Sequence, residues 1–184
     1  MALILCVVLA VFASADKTTL NKAELKELKD EGYVIKRDKK TKKGFISFDI
    51  NRTIDDVFKD IKNLKSYPKK IEDVSRVEVY DKTDNIVKAR IFIDNFFVSF
   101  KNSVLHYIDD NKRHISWELD GDFNDTNYFA KMDGYWSLKK LDENNTRVFY
   151  ANDLEFKGWV PSFLEGYLFD KGLKQSTFWL KPQD

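Results

Sequence analysis

The feature that most limits the folds open to this chain is a long stretch, Val74 to Phe156, in which apolar and polar residues alternate. A period of two is typical of β-strands that bury one face. Segments rich in Asp, Asn and Lys interrupt the alternation at residues 82–85, 94–95, 109–112 and 142–145. The pattern predicts about five or six consecutive strands joined by tight turns, which is an antiparallel meander.

A strand and a helix are predicted before the meander. Residues 45–50 alternate as a strand. Thr53 can cap a helix whose apolar face runs from Ile54 to Ile61, with carboxylates in the first turn. Pro68 should break this helix and leave a short second one.

The two ends of the chain each add a predicted helix. Residues 20–28 indicate a short, solvent-covered helix that Gly32 ends. After Pro161, a broad apolar face predicts a final helix from Ser162 to about Leu180. At ~1.5 Å per residue that helix is ~28 Å long, enough to cross the sheet.

The charge pattern excludes one class of partner. The chain has 31 basic and 30 acidic residues, so its net charge is +1. Proteins that hold nucleic acid backbones normally carry a strong positive excess, so we expect no nucleic acid partner. The local basic stretch Lys36 to Lys43 fits either a membrane or acidic-partner patch or a hairpin turn covered in lysine.

The first 15 residues carry no charged side chain. Ala2 to Phe12 is apolar and is followed by Ala13-Ser14-Ala15, a pattern typical of a secretory signal peptide cut after Ala15. The run is shorter than the roughly 20 residues of a membrane span, although an uncleaved anchor or a buried strand are alternatives. We therefore expect a periplasmic or secreted protein with one domain, residues 16–184. The only cysteine, Cys6, would leave with the signal peptide.

The predicted order of elements implies a cavity. A curved antiparallel sheet must bury one face, and the final helix would lie across that face. A straight helix cannot touch a strongly curved sheet along its whole length. The gap is filled either by large side chains or by a ligand.

Several stretches of the chain together resemble a known family. Residues 56–68 look like a helix leading into an aromatic-proline kink. A Gly-x-Trp strand is matched by Gly134-Tyr135-Trp136, and a Thr-x-Val strand by Thr146-Arg147-Val148. Residues 160–164 look like the start of a C-terminal helix. In order and spacing they resemble the START-like superfamily, also called the polyketide cyclase and dehydrase or helix-grip family. The resemblance covers about Tyr33 to Leu180, with the coenzyme Q-binding branch among the nearer ones.

The resemblance implies an α+β helix-grip fold, in which a curved antiparallel meander wraps around a long C-terminal helix and two short helices follow the first strand. It also implies a protein that sequesters a sterol, lipid, quinone or aromatic polyketide. We expect an exported binding or carrier protein, a monomer without a cofactor, with transient membrane contact as a further expectation. The alternatives are a cyclase- or hydrolase-type enzyme on an apolar aromatic substrate, or a protein-binding module with a filled groove.

Candidate cavity residues come from one face of each strand and from the last helix, although plain core packing would explain each of them as well. They are Ile91, Ile93, Phe96, Phe100, Trp117, Leu119, Trp136, Tyr150, Phe163, Tyr167 and Leu168. The pattern leaves open which face of the strand 96–108 points inward, because Phe97, Leu105 and Tyr107 compete.

The segment Asp120 to Asp133 is long for a hairpin loop and holds apolar residues. These predict a lid over the cavity mouth, or a loop tucked against the core, formed by Phe123, Tyr128, Phe129 and Met132. The segment begins like a calcium loop, but Asp125 and Lys131 replace the glycine and glutamate that such a loop needs, so no metal is expected.

Residues suited to catalysis are few. His106 and His114 are the only histidines, lack metal-ligand spacing, and are expected at sheet edges near solvent. An enzyme would therefore depend on carboxylates, Tyr or Arg, with Arg90, Glu118 and Asp153 as candidates. Surface salt bridges explain these three more simply. No catalytic site is predicted.

Overall fold

A computed structural model describes residues 17–38, 43–94, 99–123, 129–158 and 171–181. Its strands are β1 (Val34–Asp38), β2 (Lys43–Ile50), β3 (Val74–Lys82), β4 (Ile86–Asp94), β5 (Ser99–Asp109), β6 (His114–Leu119), β7 (Phe129–Lys140) and β8 (Thr146–Phe156). All pair antiparallel in one sheet of order β1-β2-β8-β7-β6-β5-β4-β3. The predicted meander is confirmed as the six consecutive strands β3 to β8.

The chain reaches the two edges of this sheet by different routes. β1 and β2 pair antiparallel with Asp38 opposite Lys43, so both ends of the basic stretch are strand, and its residues 39–42 lie outside the described residues. Within it, the ammonium of Lys36 pairs with Glu27 and that of Lys43 lies 3.5 Å from Asp153. Helices then carry the chain from β2 to β3 at the far edge, and the meander returns to pair β8 with β2.

The connecting helices follow the predicted signals. Helix α1 (Lys22–Glu31) ends at Gly32, whose φ of 75° is the left-handed conformation that glycine adopts without strain. Helix α2 (Ile54–Lys62) begins at Thr53, whose hydroxyl accepts a hydrogen bond from the Asp56 backbone. A 3₁₀ helix (Leu64–Lys69) contains Pro68 and follows at once.

The described part of the C-terminal helix, residues 171–178, lies against the inner face of the sheet. Leu173 and Leu180 are buried in the main core, and the ring of Phe178 packs edge-on against Phe48 at 5.5 Å. Predicted helical residues 162–170 and the predicted signal peptide, residues 1–15, lie outside the described residues. In the part of the chain that is described, no helix is long and apolar enough to cross a membrane.

Candidate functional site

A cavity of about 220 Å³ lies between the inner face of the sheet, the 3₁₀ helix and the C-terminal helix. An engineered apolar cavity of about 150 Å³ holds benzene, so this space has room for a somewhat larger ring system. The side chains that the structure describes therefore leave open the space that the order of elements predicted. Its lining is Tyr67, Ile71, Asp73, Val74, Ile91, Ile93, Phe100, Asn102, His106, Trp117, Phe129, Met132, Trp136, Tyr150, Asn152, Leu154, Gly172, Gln175 and Ser176.

Most of the predicted wall residues that the structure describes lie in this lining. They are Ile91, Ile93, Phe100, Trp117, Trp136 and Tyr150. Leu119 does not line the cavity, because it packs beside it against the cluster of Phe129 and Leu154. The remaining candidates, Phe96, Phe163, Tyr167 and Leu168, lie outside the described residues.

The inward face of β5 carries Phe100, Asn102 and His106. Leu105 and Tyr107 lie on the opposite face, where the Tyr107 hydroxyl donates to Glu118 at 2.7 Å. Leu105 and Tyr107, which competed for the inward position in the sequence pattern, therefore do not line the cavity. Phe97 lies outside the described residues.

Three aromatic side chains from adjacent strands form the floor of the cavity. Trp117 stacks on Tyr150 at 5.3 Å, and Trp136 packs against the same ring at 4.5 Å. Burial raises the pKa of Tyr150 to about 12, although hydrogen bonds with the side chains of Ser176 and Asn152 act in the opposite direction. The Tyr150 hydroxyl thus links the sheet to the C-terminal helix and stays protonated at neutral pH.

The absence of a side chain at Gly134 leaves room for the ring of Trp117. The two residues pair across β6 and β7, and a Cβ atom at position 134 would lie 2.4 Å from the Trp117 ring. The indole can lie flat over the strand only because no side chain is present there. The Gly-x-Trp pattern noted in the sequence therefore serves Trp117 as well as Trp136.

The structure describes three of the predicted lid residues, and two of them lie in a strand instead of the expected loop. β7 begins at Phe129, so Phe129 and Met132 belong to a strand and form part of the cavity wall. Phe123 is 49% exposed and packs against Tyr80, on the outer side of β3, at 5.3 Å. Tyr128 lies outside the described residues.

Asp120, the first residue of the calcium-like segment, has a structural role. It is buried, and its carboxylate accepts hydrogen bonds from the Tyr80 hydroxyl at 2.7 Å and from the Asp122 backbone at 3.0 Å. No group of acidic, His or Cys side chains suited to a metal occurs within the described residues.

His106 is the main residue that the sequence analysis misplaced. β5 is an interior strand, so His106 is 7% exposed and faces the cavity beside Trp117 instead of lying near solvent. Burial lowers the pKa of His106 to about 4, with a weaker opposing effect of a hydrogen bond to the Val87 backbone. The ring is therefore neutral at pH 7. His114 lies at the start of β6 and stacks on Tyr135 at 5.7 Å.

The carboxylate and arginine candidates lie on the outer face of the sheet. Arg90 lies 3.8 Å from Glu78, Glu118 accepts from Tyr107, and Asp153 accepts from Lys131 at 2.5 Å. None of the three is among the cavity residues. Their surroundings match the salt-bridge and surface interpretation.

Comparison with known proteins identifies relatives of this fold. The sequence profile of the family described as "Polyketide cyclase / dehydrase and lipid transport" matches residues 50–176. Among curated protein sequences, none matches the chain.

Solved structures match over most of the chain at low identity. An aromatase/cyclase, Zhui, from Streptomyces sp. R1128 has a TM-score of 0.67 at 12% identity, covering 75% of this chain and 90% of its own. A START superfamily protein from Mycobacterium smegmatis has a TM-score of 0.65 at 14% identity, covering 76% of this chain and 94% of its own. A STAR-related lipid transfer protein from Xanthomonas axonopodis has a TM-score of 0.63 at 14% identity, covering 80% of this chain and 96% of its own. The predicted helix-grip fold is confirmed by these similarities.

Proposed function

Because the chain belongs to the polyketide cyclase/dehydrase and lipid transport family, we propose that it binds an apolar small molecule in the cavity and carries it without altering it. The observation that carries this proposal is the unfilled space of about 220 Å³ with a mainly aliphatic and aromatic wall. Sites of this kind, apolar with a few polar groups, are typical of small-molecule binding. A protein-binding module with a filled groove does not fit an open cavity.

The polar groups that the structure describes in the cavity favour binding over chemistry. A general base works best when its pKa lies near the operating pH, and the pKa of His106 is about 4. The Tyr67 hydroxyl donates to the Ile61 carbonyl at 2.8 Å, and burial raises the pKa of Tyr67 far above neutral. Neither group is suited to proton transfer at pH 7, which supports a carrier.

Gly172 offers a way to block the cavity without disturbing the core. It lies on the C-terminal helix in the cavity wall, and a Cβ atom there would meet nothing within 4 Å. We expect Gly172→Phe to fill the cavity and weaken binding of 2-naphthol about tenfold or more, as measured by isothermal titration calorimetry. The free energy of unfolding should not fall, because glycine within a helix is itself unfavourable by ~0.5–1 kcal/mol relative to alanine.

The matched control is Gly172→Ala. It should gain at least as much helix stability as Gly172→Phe but keep the cavity, so 2-naphthol should bind as it does to the unmodified protein. A wider thermal-shift panel on delipidated protein, with menadione, cholesterol and palmitate, extends the search for the natural ligand. If Gly172→Phe binds 2-naphthol as tightly as Gly172→Ala does, the cavity is not the binding site.

We also propose that the protein is exported after cleavage between Ala15 and Asp16. The support is the uncharged apolar run Ala2 to Phe12 followed by small residues. The intact mass of the protein from the periplasm or the medium should correspond to a chain that begins at Asp16. Ala15→Glu should leave the precursor uncut, because signal cleavage needs a small residue there. Full-length protein retained in the cytoplasm of unmodified cells would contradict export.

A further inference from the structure

Among the residues that the structure describes, three buried polar atoms on side chains in the wall of the cavity have no hydrogen-bond partner. His106 is 7% exposed and Asn102 is 3% exposed, and neither the His106 Nδ1 atom nor the Asn102 Oδ1 atom has a partner. The Oδ1 atom of Asn152, which also lies in the wall, is unpartnered as well. Buried polar atoms are nearly always hydrogen-bonded, so three such atoms around one cavity call for an explanation.

All three atoms accept hydrogen bonds. A hydrogen bond with the Val87 backbone raises the pKa of His106 against the effect of burial, so the histidine donates this bond and the Val87 carbonyl accepts it. Because Nδ1 has no partner, the donor is Nε2–H, and Nδ1 carries the free lone pair of the neutral ring. An amide Oδ1 atom is likewise only an acceptor. A group that satisfies these atoms must be a hydrogen-bond donor.

The acceptors are spread around an apolar middle. His106 and Asn102 lie four residues apart on one face of β5, so their Cα atoms are ~14 Å apart. Across the sheet, His106 pairs with Trp117 and Gly134 pairs with Asn152. The aromatic floor lies between them, so the donors must sit at the ends of an apolar body.

The charges of the cavity restrict the ligand further. Among the lining residues that the structure describes, none is Lys or Arg, and Asp73 is acidic. A carboxylate or phosphate would lose its hydration without gaining a cationic partner, which is costly. A quinone or an ether has only acceptors to offer and would leave His106 and Asn102 unsatisfied.

We propose that the ligand is a neutral alcohol or phenol that donates a hydroxyl hydrogen to Nδ1 of His106, with a second donor group within reach of Asn102. This inference rests on the proposed binding function and names the class of ligand for the same cavity. His106 is then the residue that selects a hydroxyl over an otherwise similar apolar group. Such selection arises because a site built to hydrogen-bond a hydroxyl leaves its own buried group unpaired when the hydroxyl is missing.

The test compares three probes that differ at one position: 2-naphthol, 2-methoxynaphthalene and naphthalene. By isothermal titration calorimetry at pH 7, 2-naphthol should bind about tenfold more tightly than either of the others. Because one comparison compound is larger and the other smaller, a steady dependence of affinity on size cannot produce that order. His106→Phe should bind all three alike, and His106→Gln, which keeps an acceptor oxygen, should restore part of the preference. His114→Phe changes the other histidine, outside the cavity, and should keep the full preference.

The outcomes separate this inference from the function on which it rests. Equal binding of the three probes to the unmodified protein would overturn the hydroxyl requirement and leave the binding cavity intact, and this comparison needs no variant to fold. A preference for 2-naphthol that survives in His106→Phe would also overturn it. Failure of every probe to bind would overturn the proposed function and this inference together.

Discussion

Replacing Gly134 by alanine should lower the free energy of unfolding by about 3 kcal/mol, the upper part of the range for overpacked positions. The added Cβ atom would lie 2.3 Å from the Ala151 carbonyl oxygen and 2.4 Å from Cζ2 of Trp117. The carbonyl belongs to the β7–β8 pairing and cannot move without breaking the ladder. Trp117 would have to leave the cavity floor. Urea unfolding followed by circular dichroism measures the change.

Gly121→Ala is the matched control. A Cβ atom at Gly121 would meet nothing within 4 Å, so this variant should differ from the unmodified protein by less than about 0.5 kcal/mol. Binding of 2-naphthol should weaken in Gly134→Ala, since the Trp117 ring no longer lies flat, and remain unchanged in Gly121→Ala. Equal stability of the two variants would show that the contact between Trp117 and Gly134 is not as tight as the structure indicates.

Gly134 also illustrates what the sequence could predict about the site. The resemblance to a family marked Gly134 and Trp136 as a pattern, and the alternation placed both on a strand. The reason for the glycine is Trp117, a residue on another strand that the sheet register brings opposite position 134. The register between two strands is a tertiary property, and no local pattern contains it.

The last part of the segment Asp120 to Asp133 is strand β7 instead of the expected loop, and the reason is physical. Pairing with β8 shifts register between Phe129 and Lys131, so this end of the strand is irregular. The inward residues Phe129 and Met132 are consequently three positions apart, whereas a regular strand would separate them by an even number. A period-two pattern cannot detect a strand whose alternation is interrupted, and the segment therefore resembled a loop. Local signals predicted correctly those features that do not depend on strand register, such as the helix caps at Thr53 and Gly32.

His106 was misplaced for a related reason. The sequence predicted its strand but could not select the inward face, because both faces carry large apolar or aromatic residues. Pairing with β4 determines which face of β5 points inward. Val104 and His106 lie opposite Ala89 and Val87, which are buried in the core. Burying a histidine there lowers its pKa, and this has a consequence for stability that can be measured.

Acidification should therefore lower the free energy of unfolding by about 3 kcal/mol through His106 alone, from near pH 6.5 down to about pH 4. The pKa of His106 is about 4 in the folded chain, where burial opposes protonation, against an ordinary value of 6.5. Between these values the unfolded chain binds a proton that the folded chain does not, so stability falls as the pH falls. Above pH 6.5 both states are neutral at this residue, and the contribution is complete and constant. Urea unfolding at half-unit steps from pH 7.5 to pH 4 measures the slope.

Carboxylates titrate in the lower part of the same range, so the comparison must remove His106 and leave them in place. Asp60 titrates below this range: burial acts to raise its pKa, but the ion pairs with Lys70 and Arg52 outweigh burial and hold the pKa below its ordinary value of 3.8. Its contribution to stability is therefore lost only below about pH 4, and equally in every variant. In His106→Phe the slope between pH 6.5 and pH 5 should therefore be much shallower than in the unmodified protein. His114→Phe should retain the steep slope. Parallel curves for the unmodified protein and His106→Phe would mean that His106 is not held neutral by burial, and the acceptor that the ligand is proposed to meet would then be absent.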